Sequence, residues 1–576
     1  LIIVIVFLPL LTLQGLEGKL FAPVAMTIVF ALSGSLLLSL TVIPVISSFL
    51  LKQVSHEEPW LPRHLLKLYQ PALTWCLENH KKVFIATGIL LAITLLVFSR
   101  IGSTFMPTMD EGDVLIQLEK LPSITLQDSL ALDGRVQKNI FALIPEVTTI
   151  VARTGTDELG LDPMGLNETD TFLVLKPKEE WRMHTKEELI AEIRKIMANT
   201  PGISYGFTQP IEMRVSEMLT GTRGDVAVKL FGGDLDILNH KATEIEAILK
   251  SIPGSSDVFL RKNEGMQFLQ LKIDRQAAGR FGLDTNSIEN MLRAEIEGLQ
   301  LGIVQEGAKR TPLLLRGSSD TSNFNSLQIA LPNGGHIPIT SVAKIEEAEG
   351  VVSINREKGQ RFVVVRSNVE GRDLVGFVEE ARKAVAEKIQ LPAGFRIEFG
   401  GQFENQQRAA ARLGLVIPLS LGLIFLLLFS TFGSVRQAAL VLSNIPLAMI
   451  GGVFALGLSG EYLSVPASVG FIALLGIAVL NGVVMVSYFN QLHAGGMDLS
   501  RVITVGSGRR LRPVMMTACI AAFGLIPLLF ASGPGSEIQR PLAIVVTGGL
   551  VSSTFLTLFL LPILYKLFGQ PPKALS

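Results

Sequence analysis

The chain has 576 residues, 48% hydrophobic, 18% charged and 7% aromatic, and its 51 basic and 51 acidic residues leave a formal net charge of zero. That balance gives no net positive charge to attract nucleic acid, and no nucleic-acid partner is expected. The average hides two kinds of sequence: residues 101 to 407 are rich in Asp, Glu, Lys and Arg, while the flanks carry apolar runs of the ~20 residues that a bilayer core demands.

The chain opens on "LIIVIVFLPLLTLQ", which is too short to span and has no basic n-region to make it a signal peptide. It reads as the end of a further helix, and the chain as the back part of a longer protein. Membrane helices are predicted at 20 to 51 and 83 to 99, joined by a segment carrying Arg63, Lys67, Lys81 and Lys82.

The charged insert repeats itself. Three segments, starting at "DVLIQLEK", "DVAVKLFG" and "FVVVRSNV", each run strand, Asp, amphipathic helix, Pro and strand. Asp128, Asp236 and Asp373 stand where N-caps are expected, and Pro145, Pro253 and Pro392 close the helices. Such spacing fits split β-α-β units. The stripe Leu238, Ile245, Ile248, Leu249 and Ile252 is core packing rather than a ligand site. A fourth unit, "FLQLKIDRQAAGRFGLDTNSIENMLRAEI", adds a strand and a helix capped by Asp284 or Thr285. Two hairpins follow, the second turning at Asn333, Gly334 and Gly335 and both suited to docking another protein.

Five more spans are predicted, at 411 to 432, 438 to 459, 465 to 490, 511 to 532 and 540 to 567. Basic residues at Lys52, Arg63, Arg501, Arg509, Arg510 and Lys566 put those connections in the cytoplasm, and the insert on the opposite side. The domain reading is therefore 1 to 100 and 408 to 576 as membrane helices around a soluble region at 101 to 407. Cys76 and Cys519 both lie outside that region, whose core must hold without a disulfide. The sequence contains no Walker A loop, nucleotide-binding glycine loop or nucleophile elbow. The chain itself is not expected to hydrolyse ATP.

The strings "ARTGTDELGLDPMGLNETDTFLVLKP", "QPIEMRVSEMLTGTRGDVAVKLFG", "GFIALLGIAVLNGVVMVSY" and "RLRPVMMTA" carry a resemblance along the whole chain. It resembles the resistance-nodulation-division transporters, and within them the heavy-metal efflux branch of the cobalt-zinc-cadmium type. The resemblance implies an α-helical polytopic protein of the bacterial inner membrane with a large α+β periplasmic insert of repeated β-α-β porter subdomains and a hairpin-rich docking subdomain. This chain would supply the end of helix 5 through helix 12. It further implies a homotrimer, a periplasmic adaptor, an outer-membrane channel, a transported divalent metal ion and no permanent cofactor, with export driven by the proton gradient. Amphiphile efflux, copper or silver efflux, and a protein-translocation or sterol-handling relative are the alternatives.

Ionisable groups at membrane depth mark proton pathways, yet the predicted spans contain no Asp or Glu away from their ends. By resemblance the acidic relay lies on helix 4, outside this chain. Arg510 matches the basic relay residue of multidrug relatives, with Thr517 two turns further in, and Asn481 is a neutral helper. For Arg509 and Arg512 the plainer reading is snorkelling to lipid phosphates, and for Asn481 it is helix-to-helix adhesion.

For the metal, "IEMRVSEMLTG" offers Glu212, Glu217 and Met218, "RKNEGMQF" adds Glu264 and Met266, and Asp225 stands nearby in sequence. Carboxylates favour zinc, cobalt or cadmium, whereas thioethers favour copper(I) or silver. Met218 resembles one member of the methionine triad of copper-type relatives. Each acid taken alone reads rather as a solvated surface residue, so the site requires their convergence in one cleft.

Overall fold

The computed structural model describes residues 2–50, 60–156, 164–220, 224–261, 263–296, 298–317, 324–531 and 533–569, so Lys52 lies outside the described residues. Among them are seven helices long and apolar enough to cross a membrane: Gly15–Leu40, His80–Phe98, Gln402–Phe432, Val435–Ser459, Val465–Ala494, Leu499–Leu529 and Ser536–Phe568. All seven predicted spans are present with shifted ends. The first stops at Leu40 and resumes as Val42–Leu50, with Thr41 between. The sixth begins at Leu499 instead of 511, because Asp498 caps it by accepting from the Ser500 amide. Arg501, Arg509 and Arg510 are thus helical, where the sequence reading had put a loop. The opening stretch forms a short helix, Ile2–Phe7, running into a 3₁₀ turn, Leu8–Thr12.

Small residues set a close helix contact. Val435–Ser459 and Ser536–Phe568 meet at Gly451 and Gly548, where a Cβ on Gly451 would stand 2.1 Å from the Gly548 carbonyl oxygen. Such seams let backbones approach where lipid provides no hydrophobic drive. Ser552 reinforces the seam by accepting from the Gly451 amide and donating to the Ala448 carbonyl.

The charged region folds into two similar α+β units and a ribbon-rich third. In the first unit the strands Val147–Thr154, Glu168–Leu175, Val114–Glu119 and Ser204–Thr208 lie in that order, every neighbour antiparallel. Helices Leu126–Leu143 and Lys186–Ala198 bury Val136, Ile140, Leu189 and Ile193 against Val114, Ile116 and Leu173. This is two interleaved split β-α-β motifs, and the sequence repeat had captured only one of them.

The second and third repeats do not form separate sheets. Strands Val226–Phe231, Gln360–Val369 and Arg396–Gly401 interleave into one sheet, with Asn355–Glu357 and Ser255–Leu260 sharing the outer edge of Gln360–Val369. Helices Leu235–Lys250 and Leu374–Lys388 pack on it, and the predicted stripe Leu238, Ile245, Ile248 and Leu249, with Ile252 just past the first helix, is buried in that core. The third part pairs Met266–Ile273 with Ala343–Gly350 and carries both predicted hairpins, Leu299–Glu306 with Lys309–Leu315 and Gln328–Ala330 with His336–Pro338. Gly334 and Gly335, at φ of 87° and 92°, make the second turn.

Two of the three predicted caps are displaced. Thr125 caps the first helix, accepting from the Asp128 amide, and Asp234 caps the second, accepting from the amides of Asp236 and Ile237. Asp128 and Asp236 sit inside the first turn, where a negative charge still favours the helix dipole. Asp373 is the cap expected, accepting from Gly376 N–H, and Asp284 caps Thr285–Ile296 through Ser287 N–H.

Candidate functional site

Between the two α+β units lies a cavity of about 380 Å³. The first sheet contributes Gln117, Glu119, Glu168 and Asp170, which share a face because alternate residues of a strand point the same way. Glu119 stands directly opposite Glu168 in the antiparallel register. Like charges so paired destabilise a sheet unless a cation answers them. Here arginines do so: Arg261 of the second unit meets Glu168 at 2.6 Å, and Arg153 meets Asp170 at 2.8 Å. The second unit adds Asp257, Phe362 and Arg366, and the helix Pro210–Thr220 adds Met213, Arg214 and Glu217. Five carboxylates of the described residues therefore line the cavity together with arginine counter-charges. Among the described residues, no three His, Cys, Asp or Glu side chains stand together as a metal-holding group.

The sequence-predicted ligands fall in three places rather than one. Glu217 lines the cavity and pairs with Arg214 at 3.4 Å. The side chain of Met218 lies outside the described residues. Glu212 sits five residues before Glu217, about 140° around the helix, and faces away toward Asp225 and Glu111. Burial pushes its carboxyl up to about 7, and the charges of Asp225 and Glu111 add to the rise. Asp225 is likewise pushed up, to about 6, first by burial, then by Glu370 and Asp257, against the hydrogen bond from Val369 N–H. Gln402, the first residue of a membrane helix, holds Asp225 twice: its Nε2 donates to Oδ1 at 2.9 Å, and its amide donates to the Asp225 carbonyl at 2.9 Å.

Glu264 accepts from Asn239 at 3.2 Å, and Met266 pairs with Gly350 in the ribbon; neither lines the cavity. The expected convergence of Glu212, Glu217, Asp225 and Glu264 is not what the fold produces, because adjacency along the chain does not survive the turn of a helix or the exit from a strand. Sequence reading missed Glu119, Glu168, Asp170 and Asp257. The available signal was "ETD" at the start of an otherwise apolar strand, Glu168–Leu175, with two acids spaced to share one face.

Within the membrane helices two of the residues singled out in the sequence lie against each other. Thr517 Oγ1 donates to Asn481 Oδ1 at 3.2 Å, and Asn481 is 4% exposed. Tyr488 receives both arginines: the Arg510 guanidinium lies 4.3 Å from its ring centroid, and Arg509 donates to its hydroxyl at 3.3 Å.

Seven membrane-length helices, a paired split β-α-β unit and a carboxylate-lined cleft between its halves define a polytopic α-helical membrane protein with a large α+β insert. The chain belongs to the AcrB/AcrD/AcrF family, whose model matches residues 1–569. It is similar to the cobalt-zinc-cadmium resistance protein CzcA of Cupriavidus metallidurans, at 39% identity over 98% of this chain and 54% of that protein. The nickel and cobalt resistance protein CnrA of the same organism is 38% identical over 98% of this chain and 53% of its own length. A crystal structure of a heavy metal efflux pump superposes with a TM-score of 0.89 at 35% identity, covering 99% of this chain and 56% of that one. The resemblance read from the sequence strings, to the heavy-metal branch, agrees with these relatives. The chain spans about half the length of the curated relatives it matches.

Proposed function

We propose that this chain is part of a proton-driven exporter of divalent heavy-metal cations, and that the cavity between the two α+β units is the passage for the ion. The observation that carries the reading is the face bearing Glu119, Glu168 and Asp170 against Glu217 and Asp257. Oxygen donors of this kind suit zinc, cobalt, nickel or cadmium. A divalent ion entering the cavity competes with Arg261 and Arg153 for their carboxylates, so occupancy is reversible, as cargo requires. The names of the relatives support the ion class. Met164 and Met213 also line the cavity, and they keep copper(I) and silver as the second reading.

The protein then works as a homotrimer in the inner membrane with its α+β units in the periplasm, joined to an adaptor and an outer-membrane channel. Arg510, Asn481 and Thr517 serve proton coupling as polar partners of acids elsewhere in the full-length transporter. The test is growth of a metal-sensitive host expressing the full-length protein. Glu168→Gln and Glu217→Gln should abolish resistance to zinc or cobalt, whereas Glu264→Gln should leave it intact. Unchanged resistance in the first two, with loss in Met213→Leu, would replace the divalent reading by the copper or silver one.

A further inference from the structure

Ahead of the membrane helix His80–Phe98 the chain forms another helix, Trp60–Glu78, which lies against the last two membrane helices. Tyr69 and Leu73, four residues apart and so on one face, are buried there. The Tyr69 ring packs on Phe559 with centroids 5.3 Å apart, and its hydroxyl donates to the Leu558 carbonyl at 2.6 Å. Within an α-helix that carbonyl would receive the N–H of the residue four further on. In Ser536–Phe568 that residue is Pro562. Proline has no N–H, and its ring presses on the same carbonyl. Leu558 is buried, and a carbonyl without its donor among apolar helices is costly because no water answers it. Tyr69 thus returns, from a different helix, the hydrogen bond that Pro562 takes away.

The turn beyond this joint has its own task. Tyr565, three residues past Pro562, is fully buried and donates to Asn490 Oδ1 at 2.7 Å. Asn490 and Gln437 exchange two amide hydrogen bonds, at 2.9 and 3.1 Å, so Val435–Ser459, Val465–Ala494 and Ser536–Phe568 meet at one side chain. Tyr488, which carries the contacts of Arg510 and Arg509, precedes Asn490 by two residues. The direction in which the helix leaves Pro562 therefore decides where the Tyr565 hydroxyl arrives on the helix that bears Asn481 and Tyr488. This end is remote from the cavity. Val465–Ala494 starts beside the insert, where the Leu463 amide donates to the Gly102 carbonyl at 2.9 Å. Asn490 stands about 38 Å further along the helix axis.

We propose that Tyr69 is a positioning residue for proton-coupled transport: it fixes the proline joint of Ser536–Phe568 by supplying the missing hydrogen bond, and so holds Tyr565 on Asn490. This rests on the proposed service of Asn481 and Arg510 in proton coupling. The connecting helix Trp60–Glu78 is then a working part of the transport cycle as well as a link between two spans.

The experiment compares four forms of the full-length protein: unmutated, Tyr69→Phe, Pro562→Ala and the double variant. Pro562→Ala gives the helix back its own N–H, so the Leu558 carbonyl no longer depends on Tyr69. Deuterium exchange of the amides of residues 563 to 568, read by mass spectrometry in nanodiscs, reports the joint. Tyr69→Phe should speed that exchange about tenfold, the effect of one hydrogen bond, and should change nothing in the Pro562→Ala background. Zinc export from proteoliposomes under an imposed proton gradient reports the coupling. Tyr69→Phe should lower its maximal rate several-fold and leave the half-saturating zinc concentration where it was. Unchanged exchange in Tyr69→Phe, or equal acceleration in both backgrounds, overturns the joint. An unchanged maximal rate overturns the role in coupling. If the unmutated protein exports no metal, the proposed function fails, while the exchange measurements still decide whether Tyr69 serves Pro562.

Discussion

Glu212→Gln isolates the electrostatics that the fold builds behind the cavity. Burial, the Asp225 charge and the Glu111 charge together raise the Glu212 carboxyl from 4.5 to about 7, against a hydrogen bond from Gln209. The folded protein therefore holds a proton over a range in which the unfolded chain has released it. Stability from this group is complete below about 4.5 and is lost as pH rises through about 7. At about 1.4 kcal/mol per pH unit, the cap is roughly 3 kcal/mol. Asp225 rises with it and shares the repulsion, and Glu212 retains some contact with solvent, so the working figure is about 1–2 kcal/mol.

The assay is thermal unfolding of the detergent-solubilised full-length protein, read from Trp181. Trp60 and Trp75, the other two tryptophans of this chain, are replaced by Phe, along with any contributed by the rest of the full-length protein. Trp181 reports locally because its indole N–H donates to the Lys176 carbonyl at 2.7 Å within the first unit. Glutamine keeps the size and cannot ionise. The wild type should lose a few degrees of Tm between pH 4.5 and 8 that the Gln variant retains, and the two should converge at the acid end. Parallel curves over the whole range would refute the assigned cause.

Three further outcomes follow from the geometry. Lys120→Met should destabilise the first unit by about 3–5 kcal/mol, since Lys120 Nζ meets Asp133 at 2.8 Å with both side chains almost fully buried; the same thermal melt reads it, and a change under about 1 kcal/mol would show that Asp133 finds another donor. Tyr488→Phe should leave metal resistance near wild type, because it removes only the Arg509 contact, whereas Tyr488→Leu, which removes the ring under Arg510, should abolish resistance as Arg510→Ala should; equal effects of Phe and Leu would deny the stacking any role. Gly451→Val should abolish accumulation of folded protein in the membrane, since even a Cβ falls 2.1 Å from the Gly548 carbonyl oxygen; normal yield on gel filtration would contradict that packing.

The membrane helices were legible because their signal is local: a run of apolar residues has the same meaning wherever the chain goes, and only the ends moved. The end at Leu499 moved because Asp498 can cap a helix well outside the bilayer, which hydropathy does not sense. The repeats were legible as strand, helix and strand, since Leu238, Ile245, Ile248 and Leu249 mark their own buried face. The chain order does not say which repeat pairs with which. The interleaving of Val226–Phe231 with Gln360–Val369 brings together residues more than a hundred positions apart, and only side-chain packing across the sheet selects it.

The candidate site divides along the same line. That Asn481 and Thr517 hydrogen-bond to each other was decided by helix packing, although each could be named from sequence as a polar residue on an apolar helix. The cavity could not, because Glu119 and Glu168 come from two strands, Glu217 from a helix and Asp257 from another sheet. Their distances depend on how the two α+β units pack against each other. Composition and periodicity determined that this is a membrane protein with a repeated α+β insert, since burying apolar surface is a property of each segment by itself. Which acids face one another was decided only in the tertiary structure, because electrostatic proximity is a property of the packed pair.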